Sequence, residues 1–240
     1  MNDAVIGKLN DIAIRNRLAR KMCSWCQEFL WTAVLLKRRL SGHPKKQNLE
    51  QGIDGIYTED YLQDTIYWES VFSLSLAKVL IRYFNPHSVI DIGCGCGVYL
   101  KAFYELGIRD MVGYDGSNSS IKKSLVPGKI EVHDLREPLK LDRKFDLCLC
   151  IEVAEHLSYE YSDLLATTLT GLSDTIFFTA APPGQGGIGH VNEQPRSFWI
   201  KIFKAKGFRF TESLTYQIRG ELKTKDVISW IVNNLMIFKK

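Results

Sequence analysis

The chain has 240 residues, 45% of them hydrophobic, which is enough for one ordinary domain with an extension and a sizeable core. Its net charge of +4 is unevenly placed, because residues 1–50 hold ten Lys/Arg against four Asp/Glu, whereas the remaining 190 residues hold 21 against 23. The body of the chain is therefore nearly neutral, which argues against a nucleic-acid-binding surface there.

The first 56 residues are predicted to form a helical extension that caps the domain. Residues 1–40 look helical, and 41–56 contain the Ser-Gly-His-Pro turn and the glycines of a linker. The most apolar run, Phe29 to Leu36, is far shorter than the roughly 20 residues that span a bilayer. We therefore expect no transmembrane segment, with a basic amphipathic helix on a membrane or a partner as the alternative to a cap. The cysteine usage is typical of a reduced, cytoplasmic protein.

Residues 57–240 are predicted to form one domain in which strands and helices alternate. A helix over 57–84 has an apolar stripe and ends at Asn85-Pro86. Strands are expected at 89–92, 111–114, 130–133, 145–151, 175–180, 208–211 and 234–238. Helices are expected near 97–106, 118–124, 158–171 and 195–207. This alternation is typical of an α/β fold with a doubly wound, mainly parallel sheet of seven strands, whose last two strands pair antiparallel at the edge.

The run Val89 to Gly97 carries the strongest functional signal. Its β-branched residues predict a buried strand, and Gly93, Gly95 and Gly97 let the backbone turn sharply and approach a ligand closely. Asp91 lies two residues before the first of these glycines. A carboxylate there repels a pyrophosphate and suits a cationic ligand, which disfavours an NAD-dependent oxidoreductase.

Acidic residues also follow the next two predicted strands. Asp115 ends the second strand, and Asp134 with Leu135 follows the third. Because open α/β sheets bind ligands at the carboxyl ends of their strands, three acidic residues at three successive strand ends predict one ligand site. An acidic side chain at the second of these positions can accept both hydroxyls of a ribose.

These motifs resemble those of class I S-adenosylmethionine-dependent methyltransferases, over 86–180 in particular and over roughly 57–240 in all. The resemblance implies the Rossmann-like methyltransferase fold and S-adenosylmethionine as the cofactor. The residues that it implies at the methionine end of the cofactor are Asp91, Gly93, Gly95 and Gly97. It also implies that Asp115 holds the ribose. Asp134 would accept from the adenine amino group while Leu135 packs on the ring.

A second group of polar residues follows the fourth and fifth predicted strands. Glu152, Glu155 and His156 come directly after the fourth strand, in a motif that faces the transferred methyl group in the same superfamily. His190 lies in a long glycine-rich loop after the fifth strand. Its Gly-His-x-Asn-Glu-Gln-Pro sequence resembles a subgroup of small-molecule and sugar-type methyltransferases.

Two mechanisms fit this second group. His190 or His156 is suited to remove the proton of a hydroxyl acceptor as a general base. Alternatively, a mixed oxygen and nitrogen ligand set for a divalent metal ion is formed by Glu152, Glu155, His156 and His190. That pattern also resembles the metal site of small-RNA 3′-terminal 2′-O-methyltransferases. A purely structural use of Glu152 and Glu155, near the start of the next helix, stays open beside metal binding.

We expect a methyltransferase that O-methylates a hydroxyl of a small molecule such as a sugar or a natural product. A metal-dependent RNA 2′-O-methyltransferase is one alternative, although nucleic acid is disfavoured by the charge of residues 51–240. A non-catalytic partner protein that keeps the fold is the other alternative.

Overall fold

The computed structural model of the chain describes residues 59–225 and 227–240. The predicted cap lies outside them, so the division into 1–56 and 57–240 stays a prediction. The helices of the described residues are α1 (Glu59–Phe84), α2 (Val98–Glu105), α3 (Asn118–Lys122), α4 (Ser162–Leu172), α5 (Arg196–Ala205), α6 (Glu212–Lys223) and α7 (Ser229–Asn234). The strands are β1 (Ser88–Ile92), β2 (Asp110–Asp115), β3 (Ile130–Val132), β4 (Leu147–Ile151), β5 (Thr175–Thr179), β6 (Arg209–Phe210) and β7 (Met236–Lys239).

The seven strands form one sheet in the order β3-β2-β1-β4-β5-β7-β6. Strands β1 to β5 are parallel to one another, and β7 runs antiparallel to both β5 and β6. The expected doubly wound, mainly parallel sheet is confirmed, including the antiparallel pair at its edge. From β1 the chain moves outward to β3 and then returns to continue from β4 in the other direction. This reversal places a crevice at the carboxyl ends of β1 and β4, where ligands bind in such sheets.

Helices bury both faces of the sheet. Every residue of β1 and β4 is buried, as the central strands of a parallel sheet require. One core cluster contains side chains of α1, α2, α6 and α7, such as Leu76 and Ile218. The other contains side chains of α4 and α5, such as Trp199 and Phe203. The two clusters fix the strand ends from which the loops of the crevice begin.

The region after β6 differs from the prediction. Residues 212–223 form helix α6, which we did not predict because its sequence is mostly polar. Its buried residues are Thr215, Ile218 and Leu222. Asn234 was predicted to begin the last strand, but it is the last residue of the short helix α7. The difference bears on the crevice, because the Asn234 side chain reaches it.

Two boundaries near β4 also differ. The predicted strand 145–151 begins at Leu147, and Phe145 forms only an isolated bridge with Ser173. Two short 3₁₀ turns, Ala154–His156 and Tyr159–Tyr161, precede α4. None of the described helices is long and apolar enough to cross a membrane.

Candidate active site

The loop between β1 and α2 needs its glycines. Gly93 and Gly97 have φ values of +77° and +79°, a backbone conformation that other residues rarely adopt. A Cβ on Gly93 would also lie 2.4 Å from Val153 Cγ2. One on Gly97 would lie 2.8 Å from both Val126 Cγ2 and Ile130 Cδ1. No side chain caps the start of α2, so a side chain does not occupy its first N–H groups, and we refer to the loop together with this helix N-terminus as the cradle.

Asp91 lies within β1 and is only 1% exposed. Its Oδ2 atom has no hydrogen-bond partner among the described residues. Burial, followed by repulsion from Asp115, raises the pKa of the Asp91 carboxyl to about 8. A buried carboxyl oxygen without a partner fits a cationic ligand, which would satisfy this oxygen and favour its ionised form.

Asp115 ends β2 and holds the glycine loop from the side. Its Oδ2 accepts the N–H of Gly95 at 2.8 Å, and its Oδ1 accepts the N–H of Ser117 at 2.9 Å. A carboxylate oxygen can accept more than one hydrogen bond. The geometry is therefore compatible with the predicted ribose contact, which stays a prediction.

Asp134, the third predicted acidic residue, has a partner of its own. It follows β3 and forms a bidentate ion pair with Arg136, with 2.6 Å between Nη2 and Oδ2. Hydrogen bonds from Arg136 hold the pKa of Asp134 below its usual value. A contact between Asp134 and adenine would compete with this pair. Leu135 is buried in the same core cluster as Tyr114. The adenine roles of Asp134 and Leu135 stay predictions.

Glu152 begins the turn after β4 with a φ of +53°. Its N–H donates to Thr179 Oγ1 at 2.9 Å, which ties the turn to the end of β5. Its carboxylate accepts hydrogen bonds from Asn234 Nδ2 at 3.1 Å and from Gln185 Nε2 at 3.2 Å. The sequence analysis missed both partners, because neither lies in a recognisable motif. A strained residue held by several elements at a strand end points to a functional position.

Three of the four predicted metal ligands come together. Glu155, His156 and His190 each offer one ligand atom, and these three atoms lie within 4.8 Å of one another. Glu152 is not part of this group. The rings of His156 and His190 meet edge to face with their centroids 5.0 Å apart. Glu155 is fully buried, and neither oxygen of its carboxyl has a hydrogen-bond partner among the described residues.

The titration of two of these groups is displaced by their surroundings. Burial, followed by repulsion from Glu152, raises the pKa of Glu155 well above its usual value. Burial, followed by the neighbouring His190, lowers the pKa of His156 to about 4. The His156 imidazole is therefore neutral near pH 7, which is the state of a metal ligand or a proton acceptor.

A carboxylate that the sequence analysis missed holds His190. Glu193 Oε1 lies 2.9 Å from His190 Nδ1, and the same carboxylate accepts the N–H groups of Gly184 and Gly186. Because a carboxylate only accepts, the neutral His190 ring carries its proton on Nδ1 and keeps a lone pair on Nε2. A Cβ on Gly187 would lie 2.2 Å from that Nε2. The signal that could have revealed Glu193 is its place three residues after His190.

Comparisons with known proteins agree with this architecture. Residues 67–182 match the model of a family described as "Methyltransferase domain". The chain is similar to the crystal structure of a SAM-dependent methyltransferase from Archaeoglobus fulgidus, with 20% identity and a TM-score of 0.52 over 73% of this chain and 99% of that chain.

Two further structures are similar at lower TM-scores. The methyltransferase domain of bacterial CtHen1-CN has 19% identity and a TM-score of 0.49 over 70% of this chain and 97% of that chain. The magnesium protoporphyrin IX methyltransferase of Synechocystis PCC 6803, solved with bound SAM, has 20% identity and a TM-score of 0.48 over 65% and 78%. No curated protein matches the chain.

Proposed function

We propose that this chain is a class I S-adenosylmethionine-dependent methyltransferase and that it transfers the methyl group to a hydroxyl oxygen of a small-molecule acceptor. The observation that carries the proposal is the convergence of Glu155, His156 and His190. Glu155 and His156 follow β4, which pairs with β1 in the sheet, and the same turn contacts the glycine loop through Val153 and Gly93. His190 reaches them from the loop after β5. An acceptor held by the three residues would therefore lie beside the cofactor cradle.

For the cofactor, we propose the residues that the sequence resemblance implies. The cradle at the methionine end is formed by Asp91, Gly93, Gly95 and Gly97. The unpartnered Oδ2 of Asp91 supports this assignment, because it fits a sulfonium or an ammonium group. We further propose that Asp115 holds the ribose and that Asp134 and Leu135 lie at the adenine. Glu152 would face the methyl group from the turn after β4.

Glu155, His156 and His190 also fit a divalent metal ion. An ion would give the buried carboxyl oxygens of Glu155 the partner that they lack among the described residues. The hydrogen bond of His190 Nδ1 to Glu193 is typical of a histidine that binds a metal through Nε2. These three residues would hold the ion, and a bound ion would lower the pKa of the acceptor hydroxyl and orient it.

The same side chains can also take the acceptor proton themselves. S-adenosylmethionine, when bound, supplies the methyl carbon as the electrophile. The acceptor oxygen forms the new C–O bond while the S–C bond breaks, and the sulfur keeps the electron pair of that bond. His190 Nε2 would receive the hydroxyl proton, because Glu193 keeps the other ring proton on Nδ1.

The experiment measures methyl transfer from radiolabelled S-adenosylmethionine to a panel of sugars, polyols and phenols, with and without EDTA. We expect His190→Ala to lower turnover by ~10²–10⁴ and to leave the affinity for S-adenosylhomocysteine unchanged. If the residues act through a metal, EDTA abolishes turnover, and Glu155→Ala and His156→Ala match the His190 defect. His87→Ala, an exposed histidine just before β1, is the control. Full activity of His190→Ala under both conditions would reject both mechanisms.

One observation favours a second candidate, a metal-dependent RNA 2′-O-methyltransferase. Glu155 and His156 converge with the distant His190, as the resemblance to small-RNA methyltransferases implies for a metal site. The negative charge of residues 51–240 makes this the second choice. A short RNA with a free 3′-terminal diol separates the two candidates. The RNA candidate would replace the small-molecule candidate if the enzyme methylated this RNA faster than any small molecule of the panel. This methylation should be lost after periodate oxidation of the diol.

We further propose that the enzyme works in the cytoplasm and that residues 1–56 close over the acceptor site. The four described cysteines are free and buried, which suits a reducing compartment. Removal of residues 1–56 should then raise KM for the acceptor more than it changes the affinity for the cofactor. If the removal weakened the binding of the acceptor and of the cofactor to the same extent, the cap hypothesis would be contradicted.

A further inference from the structure

Helix α1 carries a carboxylate toward the cofactor cradle. The helix ends just before β1 begins, so its earlier turns lie toward the carboxyl ends of the strands. Phe72 in α1 is buried, and its ring lies 6.5 Å from the ring of Tyr99 at the start of α2. Glu69 lies three residues before Phe72, on the same face of α1 and one turn closer to the cleft. The sequence analysis did not single out Glu69, because it belongs to no motif.

The electrostatics of Glu69 place it near the other acidic groups of the cleft. Burial, followed by repulsion from Asp91 and Glu152, raises the pKa of Glu69 to about 8. Burial also raises the pKa of Tyr99, and Glu69, Asp91 and Glu152 raise it further. Side chains from α1, β1, α2 and the turn after β4 are therefore close enough for their charges to interact, and three of them are carboxyl groups.

Two buried polar atoms of these side chains lack partners in the described part of the chain. Asp91 Oδ2 and Tyr99 Oη are buried and have no hydrogen-bond partner among the described residues. A buried polar atom destabilises the protein unless it forms a hydrogen bond. The combination of unpartnered acceptors and carboxyl groups therefore suits a ligand group that donates several hydrogen bonds and carries positive charge.

We propose that Glu69 is a positioning residue for the cofactor and that it binds the α-ammonium of the methionine moiety together with Asp91. An ammonium group donates three hydrogen bonds, which matches Glu69, Asp91 Oδ2 and Tyr99 Oη in number. The proposal rests on S-adenosylmethionine binding and is independent of the acceptor. Its structural consequence is that the cofactor links α1 to the glycine loop.

The experiment compares the binding of S-adenosylmethionine and S-adenosylhomocysteine by calorimetry. The second ligand lacks the sulfonium and keeps the ammonium, so we expect Glu69→Gln to weaken both by about 10- to 100-fold. Glu69→Asp, which keeps the charge, should lose less affinity for both ligands than Glu69→Gln does. Glu105→Gln, an exposed carboxylate of α2, is the matched control and should change neither. Weakened binding of S-adenosylmethionine alone would assign Glu69 to the sulfonium and overturn the ammonium site. Unchanged binding of both ligands would overturn the proposal.

Hydrogen exchange of the wild-type protein gives a second measurement that does not depend on the variant folding. Binding of S-adenosylhomocysteine should slow exchange in the turn of α1 around residue 69. An unchanged exchange rate there would contradict the proposal. Because neither measurement uses an acceptor, a failure of the proposed O-methylation leaves both results interpretable.

Discussion

The His190 ring lies between a carboxylate and a glycine, and each determines one of its nitrogens. Glu193 accepts a hydrogen bond from Nδ1–H of the neutral ring, and Gly187 lies so close to Nε2 that a Cβ could not fit. The tautomer and the position of this imidazole therefore depend on two neighbouring residues, and the proposed role of His190 as a base requires both. This dependence leads to a prediction about Gly187.

We predict that Gly187→Ala lowers turnover by ~10² or more, because the new Cβ displaces the His190 ring from its hydrogen bond with Glu193. Binding of S-adenosylhomocysteine should stay unchanged. The measurements are steady-state kinetics and calorimetry. Gly171→Ala is a suitable control, since a Cβ at this exposed position in α4 meets nothing within 4 Å. Wild-type turnover of Gly187→Ala would show that the position of His190 in this structure is not needed for the reaction.

At the scale of elements, the strands could be predicted because burial restricts their composition. A strand covered on both faces, such as β1 or β4, is a short apolar run between turn residues. Helix α6 gave no such signal, because most of its residues face solvent and only three are buried. Propensity and periodicity are weak guides when an element contributes so little to the core.

The same distinction holds for the candidate site. The proximity of Asp91, the glycine loop and Asp115 could be predicted, because parallel strands bring their carboxyl ends to one edge of the sheet. Glu193, Gln185 and Asn234 could not be predicted as partners of His190 and Glu152. Their contacts depend on the path of a long loop and on the end of α7, which spacing along the chain does not determine.

Helix α5 is joined to the edge of the sheet by aromatic packing, and this contact predicts a large stability effect. Phe203 is fully buried, stacks on Phe238 of β7 with centroids 4.0 Å apart, and meets Phe178 of β5 edge to face. We expect Phe203→Ala to lower the free energy of unfolding by about 3–5 kcal/mol, as measured by urea denaturation. Tyr216→Ala, at a side chain that is 54% exposed, should cost less than about 1 kcal/mol. Equal effects of the two substitutions would contradict the role of this aromatic cluster.

At the scale of the whole molecule, the buried acidic groups make stability depend on pH. Burial raises the pKa of Glu69 and of Asp91 to about 8, so the folded state binds their protons more tightly than the unfolded state does. The stability that they contribute is fully present at low pH and is lost as pH rises toward 8. The pKa of His156 is lowered to about 4, so the folded state binds this proton more weakly than the unfolded state does. The stability that His156 contributes therefore increases with pH up to about pH 6.5 and stays constant above it.

We therefore predict that the free energy of unfolding of the cofactor-free protein falls between about pH 6.5 and about pH 8. Urea denaturation at several pH values measures this fall. The double variant Glu69→Gln, Asp91→Asn should show a smaller dependence, because it lacks two of the three carboxyl groups whose pKa is raised, with Glu155 as the third. The Glu105→Gln variant should behave like the wild type. A stability that rises over this interval in the wild type would contradict the burial of the two carboxyl groups as ionisable acids.

The buried thiols have a practical consequence for following residues 1–56 in solution. The chain has six cysteines, and Cys94, Cys96, Cys148 and Cys150 are free and buried in the structure. Burial also raises the pKa of each of these four thiols, which slows their reaction with alkylating reagents. These four thiols should therefore react slowly with a fluorescent maleimide in the folded wild-type protein. We expect them to react rapidly only in urea, so any thiol that is labelled fast in buffer would be Cys23 or Cys26 and would place the dye within the segment that the cap hypothesis concerns.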